Sequence, residues 1–531
     1  MRASEMTVKC LESEGVERIF GIPGEENMDL MDSLIDSNIE FVLTKHENSA
    51  AFMAGACARL TGKPHVCLAT LGPGATNMVT GVAEAYLSHI PLIAITGQVG
   101  AEQAYAPRKQ FLDLVQLYKP VTKESFSMRT AARIPVQIRR AFDIAASEKQ
   151  GPVHIELPED VMKAETEGEP LKRAERETMK FQRGTLDKVR TLLEKAETPM
   201  VFVGPGVIRL NAVKVFRALV EAWNLPVVHS WHSCGIIPYD DPLSLNTVGL
   251  RTRDTVRKAF DEADLMLLVG YDLPEFPPTF WNIGKKKNVV VLDAVPAEHV
   301  PNFEPDIQVI GNIINIMTSL THKGKKKKSW AKGHKEWLED CLGHCPDDKF
   351  PLKPQLIVKA VRESLGKEDI CVSDVGAHLL WLAKLYPVYK ENTLLLTNGL
   401  IPMGISVPAA IGAKLTRPDK KVVAVCGDGG FAMCGPELET AHRLGTNFVT
   451  VIFNDSGLGL IRYKNQKTYG RSNGTEFGNI DHSKFAESLG AKGYRVSSAL
   501  ELSEVLKCCL KDDELAVIDC PVDYSENKDL L

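Results

Sequence analysis

Short apolar runs alternate with helical stretches along the whole chain. In the first third the runs are Arg18-Ile-Phe, Phe41-Val-Leu, Val66-Cys-Leu-Ala-Thr, Leu92-Ile-Ala-Ile-Thr and Val153-His-Ile-Glu-Leu. The last third repeats the plan with Ile370-Cys-Val, Thr393-Leu-Leu-Leu, Val422-Val-Ala-Val, Phe448–Phe453 and Leu515-Ala-Val-Ile-Asp. Between them lie Pro199-Met-Val-Phe-Val-Gly, Leu265-Met-Leu-Leu-Val-Gly and Val289-Val-Val-Leu-Asp. A strand covered on both faces needs no polar side, so such runs, separated by helices, predict βα units and parallel sheets. Charge-rich segments at 163–182 and 322–350 read as linkers. The pattern predicts an α/β chain of three domains, at 1–165, 182–325 and 350–531. The length of 531 residues agrees with that count.

Composition narrows the function classes. Net charge is −5 with acids and bases well mixed, so no basic stripe points to nucleic acid. The run Lys323–Ser329 reads as a solvated linker, since like charges repel and extend. The 12 cysteines form no framework. Cys67, Cys371 and Cys426 fall within apolar runs and read as small buried hydrophobes. Cys341-Leu-Gly-His-Cys345 imitates half of a metal clip without a second pair. The pattern fits a reducing cytosol. Met6–Gly15 is helix-like with no apolar secretory core, and no run approaches the roughly 20 apolar residues of a membrane span. A cytoplasmic protein without membrane contact is expected.

The chemistry concentrates around two aspartates. Val422–Cys426 leads into Gly427-Asp428-Gly429-Gly430, then a helix, then Phe448–Phe453 and Asn454-Asp455-Ser456-Gly457. In open parallel sheets, ligands collect beyond the carboxyl ends of strands. Two strands that each end in Asp place two hard oxygen ligands side by side, which suits magnesium shared with a phosphate. Glycines at 427, 429 and 430 let backbone N–H groups approach an anion. Taken alone, the GDG run is also compatible with a simple helix-starting turn.

This arrangement resembles the thiamine-diphosphate (ThDP) enzymes, whose fingerprint is GDG followed, at the end of the next strand, by Asn-Asn or Asn-Asp. The resemblance implies that Asp428, Asp455 and the Gly457 carbonyl hold Mg²⁺. Asp455 stands where the family more often has Asn; the added charge should tighten metal binding. The three-part plan is similar to the pyruvate-decarboxylase-like branch. There a pyrimidine-binding domain and a diphosphate-binding domain flank a Rossmann-like middle domain. Within Phe41–Phe52, Glu47 stands between a strand and a helix, and "HENSAAFMA" with Arg59–Lys63 matches the acetolactate-synthase group. By itself, a Glu at a helix start is a capping or solvated residue. The resemblance makes it the acid that hydrogen-bonds the aminopyrimidine and supplies a proton. It also places Met403 beneath the bent cofactor and assigns backbone groups of Ile401 and Met403, within Thr397-Asn398-Gly-Leu-Ile-Pro-Met-Gly404, to the pyrimidine. Gly72 and Asn77, in Leu71–Asn77, match the family's GPGATN turn. Gly376 and His378 match its diphosphate segment, with Ala377 in place of the usual Gln. Leu458 and Gly459, following the second aspartate, complete the expected cofactor contacts.

Several signatures sort the reaction. The first domain has no adjacent His-His pair, which argues against simple decarboxylation. Val248–Arg253 lacks the GMHGT-like run of flavin-containing acetolactate synthases, so FAD is not expected. Val269–Asn282, Phe477–Asp481 and Pro521–Tyr524 are similar to the flavin-free catabolic enzymes. The resemblance therefore implies a carboligase, a transferase joining the two-carbon unit of pyruvate to a second 2-oxo acid as 2-acetolactate. Gln110 matches a family Gln near the substrate, where a neutral amide can bond a carboxylate or alkoxide. Lys464 replaces the Trp that selects larger 2-oxo acids in biosynthetic relatives; Lys464 or Arg462 is a candidate to meet the acceptor carboxylate. Glu25 and Glu26 replace Ala-Lys, and two acids are unexpected near an anionic substrate's approach. A different ThDP lyase, decarboxylase or acyltransferase, acting on another 2-oxo acid or an acyl-CoA, is the alternative. The family's geometry also implies a homodimer or homotetramer with sites shared between chains.

Overall fold

The computed structural model describes the chain except residues 101–108, 173–182, 250–255, 285–286, 323, 343–345 and 531. Each predicted apolar run is a strand, and the strands form three six-stranded sheets whose pairings are parallel. The first sheet contains β1 (Arg18–Gly21), β2 (Glu40–Leu43), β3 (His65–Ala69), β4 (Leu92–Gln98), β5 (Glu124–Ser127) and β6 (Val153–Pro158), in spatial order 2-1-3-4-6-5. The middle sheet contains β7 (Pro199–Val203), β8 (Val227–His229), β9 (Ser244–Thr247), β10 (Leu265–Val269), β11 (Asn288–Asp293) and β12 (Ile307–Ile310). Its order, 12-11-10-7-8-9, reverses beside the first strand as in a dinucleotide-binding fold. The third sheet contains β13 (Ile370–Ser373), β14 (Leu394–Leu395), β15 (Val422–Gly427), β16 (Val449–Asn454), β17 (Lys492–Arg495) and β18 (Ala516–Pro521). Its order, 14-13-15-16-18-17, repeats the arrangement of the first sheet.

The first and third domains share one apolar core. It runs from Phe20, Val42 and Cys67 through Met53 and Ala410 to Val372, Ala424 and Ile452. At its centre the helix Glu47–Thr61 packs on the helix Ser406–Thr416. Both are rich in Ala and Gly, so their backbones approach closely. A Cβ on Gly412 would lie 2.6 Å from the Met53 carbonyl oxygen. The middle domain has its own cores on either face of its sheet. Arg209 ties it to the first domain: the guanidinium bonds both Glu148 (3.0 Å) and Asp272 (2.7 Å).

Cys67, Cys371 and Cys426 are buried and free, in the strands expected. Residues 343–345 of the Cys341–Cys345 run and residues 250–253 of the run weighed for flavin lie outside the described residues. Among the described residues, no group of three His, Cys, Asp or Glu side chains could hold a metal ion. No helix is long and apolar enough to cross a membrane.

Candidate active site

Strands β13, β15 and β16 are neighbours, and their carboxyl ends deliver Asp374, Asp428 and Asp455 to one edge of the third sheet. A cavity beyond that edge is lined by His378, Met403, Asp428, Asp455, Leu458 and Tyr524. Gly376, Gly427, Gly429, Gly430, Gly457 and Gly459 complete its wall. Asp428 is the first residue of the helix Asp428–Cys434. Its carboxylate accepts from the backbone N–H groups of Gly429 (2.9 Å) and Gly457 (2.9 Å). Burial first, and then the Asp455 charge, push Asp428 up to about 6. Burial also raises Asp455, against the pull of Arg462. His378 is buried, and burial pushes its imidazole down to about 4. Its Nε2 has no hydrogen-bond partner. A Cβ on Gly429 would meet the Phe477 ring at 3.0 Å and Met403 Cε at 3.2 Å, so a larger residue would crowd the side chains of this wall. Two mutually repelling carboxylates, an unpartnered imidazole nitrogen and a side-chain-free wall suit a divalent cation bridged to a diphosphate.

Asp374 holds the loop that carries Met403. It is fully buried, and its carboxylate accepts from the N–H groups of Gly404 (3.0 Å), Ser406 (3.0 Å) and Val375 (2.8 Å). In the same loop, Ile401 takes a φ of +61°, which a β-branched residue adopts only under constraint. The Asn398 amide donates to the Glu275 carbonyl oxygen of the middle domain (3.3 Å).

A second cluster forms at the carboxyl ends of β2 and β3. Glu47 opens the helix Glu47–Thr61 and is 8% exposed. Its Oε2 accepts from Asn77 Nδ2 at 3.1 Å. Gly72 precedes the helix Pro73–Leu87 with φ +53°, and a Cβ there would lie 2.9 Å from Cβ of Gln110. Gln110, exposed and itself at φ +66°, thus covers the GPGATN turn. Arg108, in the same motif, lies outside the described residues.

Other expectations change with the geometry. Arg462 is engaged by Asp455 (Nη2 to Oδ2, 2.5 Å), so its charge is already matched. Lys464 is exposed on the helix Gly459–Tyr469. Glu26 accepts from Thr70 Oγ1 at 2.6 Å and so braces β3, whereas Glu25 is exposed. The sequence did not single out Asp374 as a brace, although an acid directly after a buried strand is the available signal.

Three family models cover most of the chain. These are the N-terminal TPP binding domain (residues 1–117), the central domain (186–320) and the C-terminal TPP binding domain (374–520) of thiamine pyrophosphate enzymes. The chain is 34% identical to an acetolactate synthase of Bacillus subtilis, over 100% of this chain and 94% of that protein. It is 31% identical to a catabolic acetolactate synthase of Raoultella terrigena, over 99% of this chain and 95% of the relative. The chain belongs to the acetolactate-synthase family of thiamine pyrophosphate enzymes. A further member, the isozyme 2 large subunit of Escherichia coli acetolactate synthase, is 29% identical over 99% of this chain. Family membership makes this protein an enzyme and thiamine diphosphate its cofactor.

Proposed function

We propose that this acetolactate-synthase family member converts two molecules of pyruvate into 2-acetolactate and CO2. The observation that supports the reading is that one chain carries two clusters suited to the two ends of the cofactor. The cavity at Asp428 and Asp455 is lined by third-domain residues, while Glu47, Asn77, Gly72 and Gln110 gather on the first domain. Bound thiamine diphosphate supplies a carbon nucleophile and an electron sink.

The chain's residues do the rest. Asp428, Asp455 and the Gly457 carbonyl would hold Mg²⁺, which offsets the charge of the two acids and of a diphosphate. The unpartnered His378 Nε2 would be available to the same anion, and Gly429 and Gly430 would let it approach the backbone. Glu47 presents a carboxyl oxygen for proton exchange with the pyrimidine, while Asn77 fixes its other oxygen. Met403, which lines the cavity, would support the bound cofactor, and backbone groups of Ile401 and Met403 would orient its pyrimidine. Asn398 braces this loop against the middle domain. Leu458, Gly459 and Gly376 line the same cavity and would contact the diphosphate. Gln110 offers a neutral amide to the carboxylate of a 2-oxo acid without adding charge. Exclusion of water would favour attack on the second 2-oxo acid over protonation to an aldehyde.

In this reading the first domain of one copy faces the third domain of another, so the assembly is at least a homodimer. The domains are proposed at 1–165, 182–325 and 350–531, and the protein as cytoplasmic. To test the activity, the purified protein is incubated with ThDP, Mg²⁺ and pyruvate, and products are separated. Acetolactate and CO2 in equal amounts are expected; acetaldehyde as sole organic product would replace the carboligase with a decarboxylase.

A further inference from the structure

Two buried acids outside the proposed cofactor contacts share one design. Glu84 and Glu437 are 4% and 1% exposed. Glu84 lies in the last turn of the first-domain helix Pro73–Leu87. Its Oε1 accepts from Ser88 Oγ at 2.6 Å. Its Oε2 accepts the backbone N–H groups of Leu400 (2.9 Å) and Ile401 (3.0 Å), in the third domain. Glu437 begins the third-domain helix Glu437–Leu444. Its Oε2 accepts from Thr440 Oγ1 at 2.7 Å, and its Oε1 accepts the backbone N–H of Lys45 (2.8 Å), in the first domain. In each case a nearby hydroxyl fixes one carboxylate oxygen. The other oxygen crosses to the opposite domain and ends at or just before proposed cofactor contacts: at Leu400 and Ile401, ahead of Met403, and at Lys45, two residues before Glu47.

A carboxylate accepting backbone N–H groups makes charge-assisted bonds that fix direction as well as distance. The left-handed backbone at Ile401 persists only where its surroundings over-determine it, and Glu84 binds its N–H. On the other side, the chain leading into Glu47 gains further hold from Arg443, whose Nη2 donates to the Leu43 carbonyl oxygen (2.5 Å).

We propose that Glu84 and Glu437 are reciprocal positioning residues, each domain setting the backbone that presents the other domain's cofactor contact. The inference rests on the cofactor contacts proposed above. If the cofactor lies between the first domain of one copy and the third domain of another, the two acids of one chain serve two different cofactors. The shared helix pair then links the alignment of one site to that of the next.

The test uses the full-length protein and four variants: E84A, E437A and the conservative E84Q and E437Q. Backbone amide hydrogen exchange is measured without cofactor. E84A should lose protection at Leu400 and Ile401 with Lys45 unchanged, and E437A should do the reverse. Affinity for ThDP with Mg²⁺, measured by equilibrium binding, should fall about tenfold in each Ala variant. The Gln variants keep an acceptor oxygen and should stay within about threefold of wild type. Uniform loss of protection over both domains, or intact ThDP affinity despite local loss, would reduce the acids to interdomain glue and overturn the proposal. Should an Ala variant fail to fold, S88A and T440V remove only the clamping hydroxyl. They should give the same local pattern at smaller amplitude, and its absence counts equally against the idea. Failure of wild-type protein to bind ThDP would instead sink the cofactor assignment, whatever the exchange pattern.

Discussion

Arg462 donates through one nitrogen to both the backbone oxygen (3.0 Å) and the carboxylate (2.5 Å) of Asp455. A cation thus stands against the acid that distinguishes this chain from Asn-bearing relatives. It offsets much of the extra charge that the sequence alone would assign to metal binding. R462A is expected to tighten Mg²⁺ binding about fivefold, the scale of a partly exposed ion pair. D455N should weaken Mg²⁺ binding, and R462A added to D455N should then change little. Magnesium titrations of the four proteins, followed by intrinsic fluorescence with ThDP present, complete the cycle. An equal effect of R462A in both backgrounds would show that the pair does not govern the metal.

Replacing Glu47 by Gln keeps the side chain's shape and an oxygen for Asn77, but removes the exchangeable acid. Turnover should drop by about 10²–10⁴ while ThDP affinity changes by only a few-fold. Steady-state rates and equilibrium binding on the same preparation separate the two. A variant that turns over like wild type would remove Glu47 from the chemistry.

Lys464 is exposed one helix turn beyond the loop that bears Asp455. A tryptophan there adds apolar surface without displacing a buried group. With pyruvate and 2-oxobutyrate in competition, K464W should shift products toward the larger acceptor by about tenfold, the scale set by one methylene in an apolar pocket. An unchanged ratio would place position 464 outside the acceptor's reach.

His154 gives an acid-sensitive contribution to stability. Its ring stacks on Tyr118 (4.1 Å) and hydrogen-bonds Thr96 and Ser125 (both 2.8 Å). Burial lowers its pKa from 6.5 to about 3. The folded protein keeps the ring neutral where the unfolded chain takes up a proton. Its stabilising share is therefore complete above about pH 6.5 and declines as pH falls toward 3, by up to ~1.4 kcal/mol per pH unit. H154N should be less stable than wild type near neutrality, with the gap narrowing in acid. Denaturation midpoints of both proteins across that range measure it, and a constant gap would refute the assignment.

Most interior strands were legible in the sequence, whereas the three-residue interior strand Val227–His229 and several edge strands were not. Glu124–Ser127, Ser244–Thr247 and Lys492–Arg495 lie at sheet edges and contain no continuous apolar run. Ile307–Ile310 is a fourth edge strand, too short and half-buried to announce itself. Within the site, Asp428 and Asp455 were readable because each ends a buried strand, whereas Glu47 at a helix start was readable only through the family resemblance. Glu84 and Glu437 were not readable, because their partners lie 316 and 392 residues away; Asp374 carried the same strand-end signal, but its role as a brace rests on partners 30 and 32 residues on. No local spacing records such a bond. Arg462 shows a different limit: its charge suggested a substrate contact until the fold brought Asp455 against it.

Gly412 meets the helix Glu47–Thr61 through its own carbonyl oxygen, which accepts from Cys57 Sγ across 355 residues of sequence. On the ribosome, the alanine-rich surface of that early helix emerges long before its cover has been synthesised. Until then it is a sticky face in search of something apolar. A nascent product that stops within the middle domain would carry it bare, making truncated chains natural clients for chaperones and early casualties of aggregation.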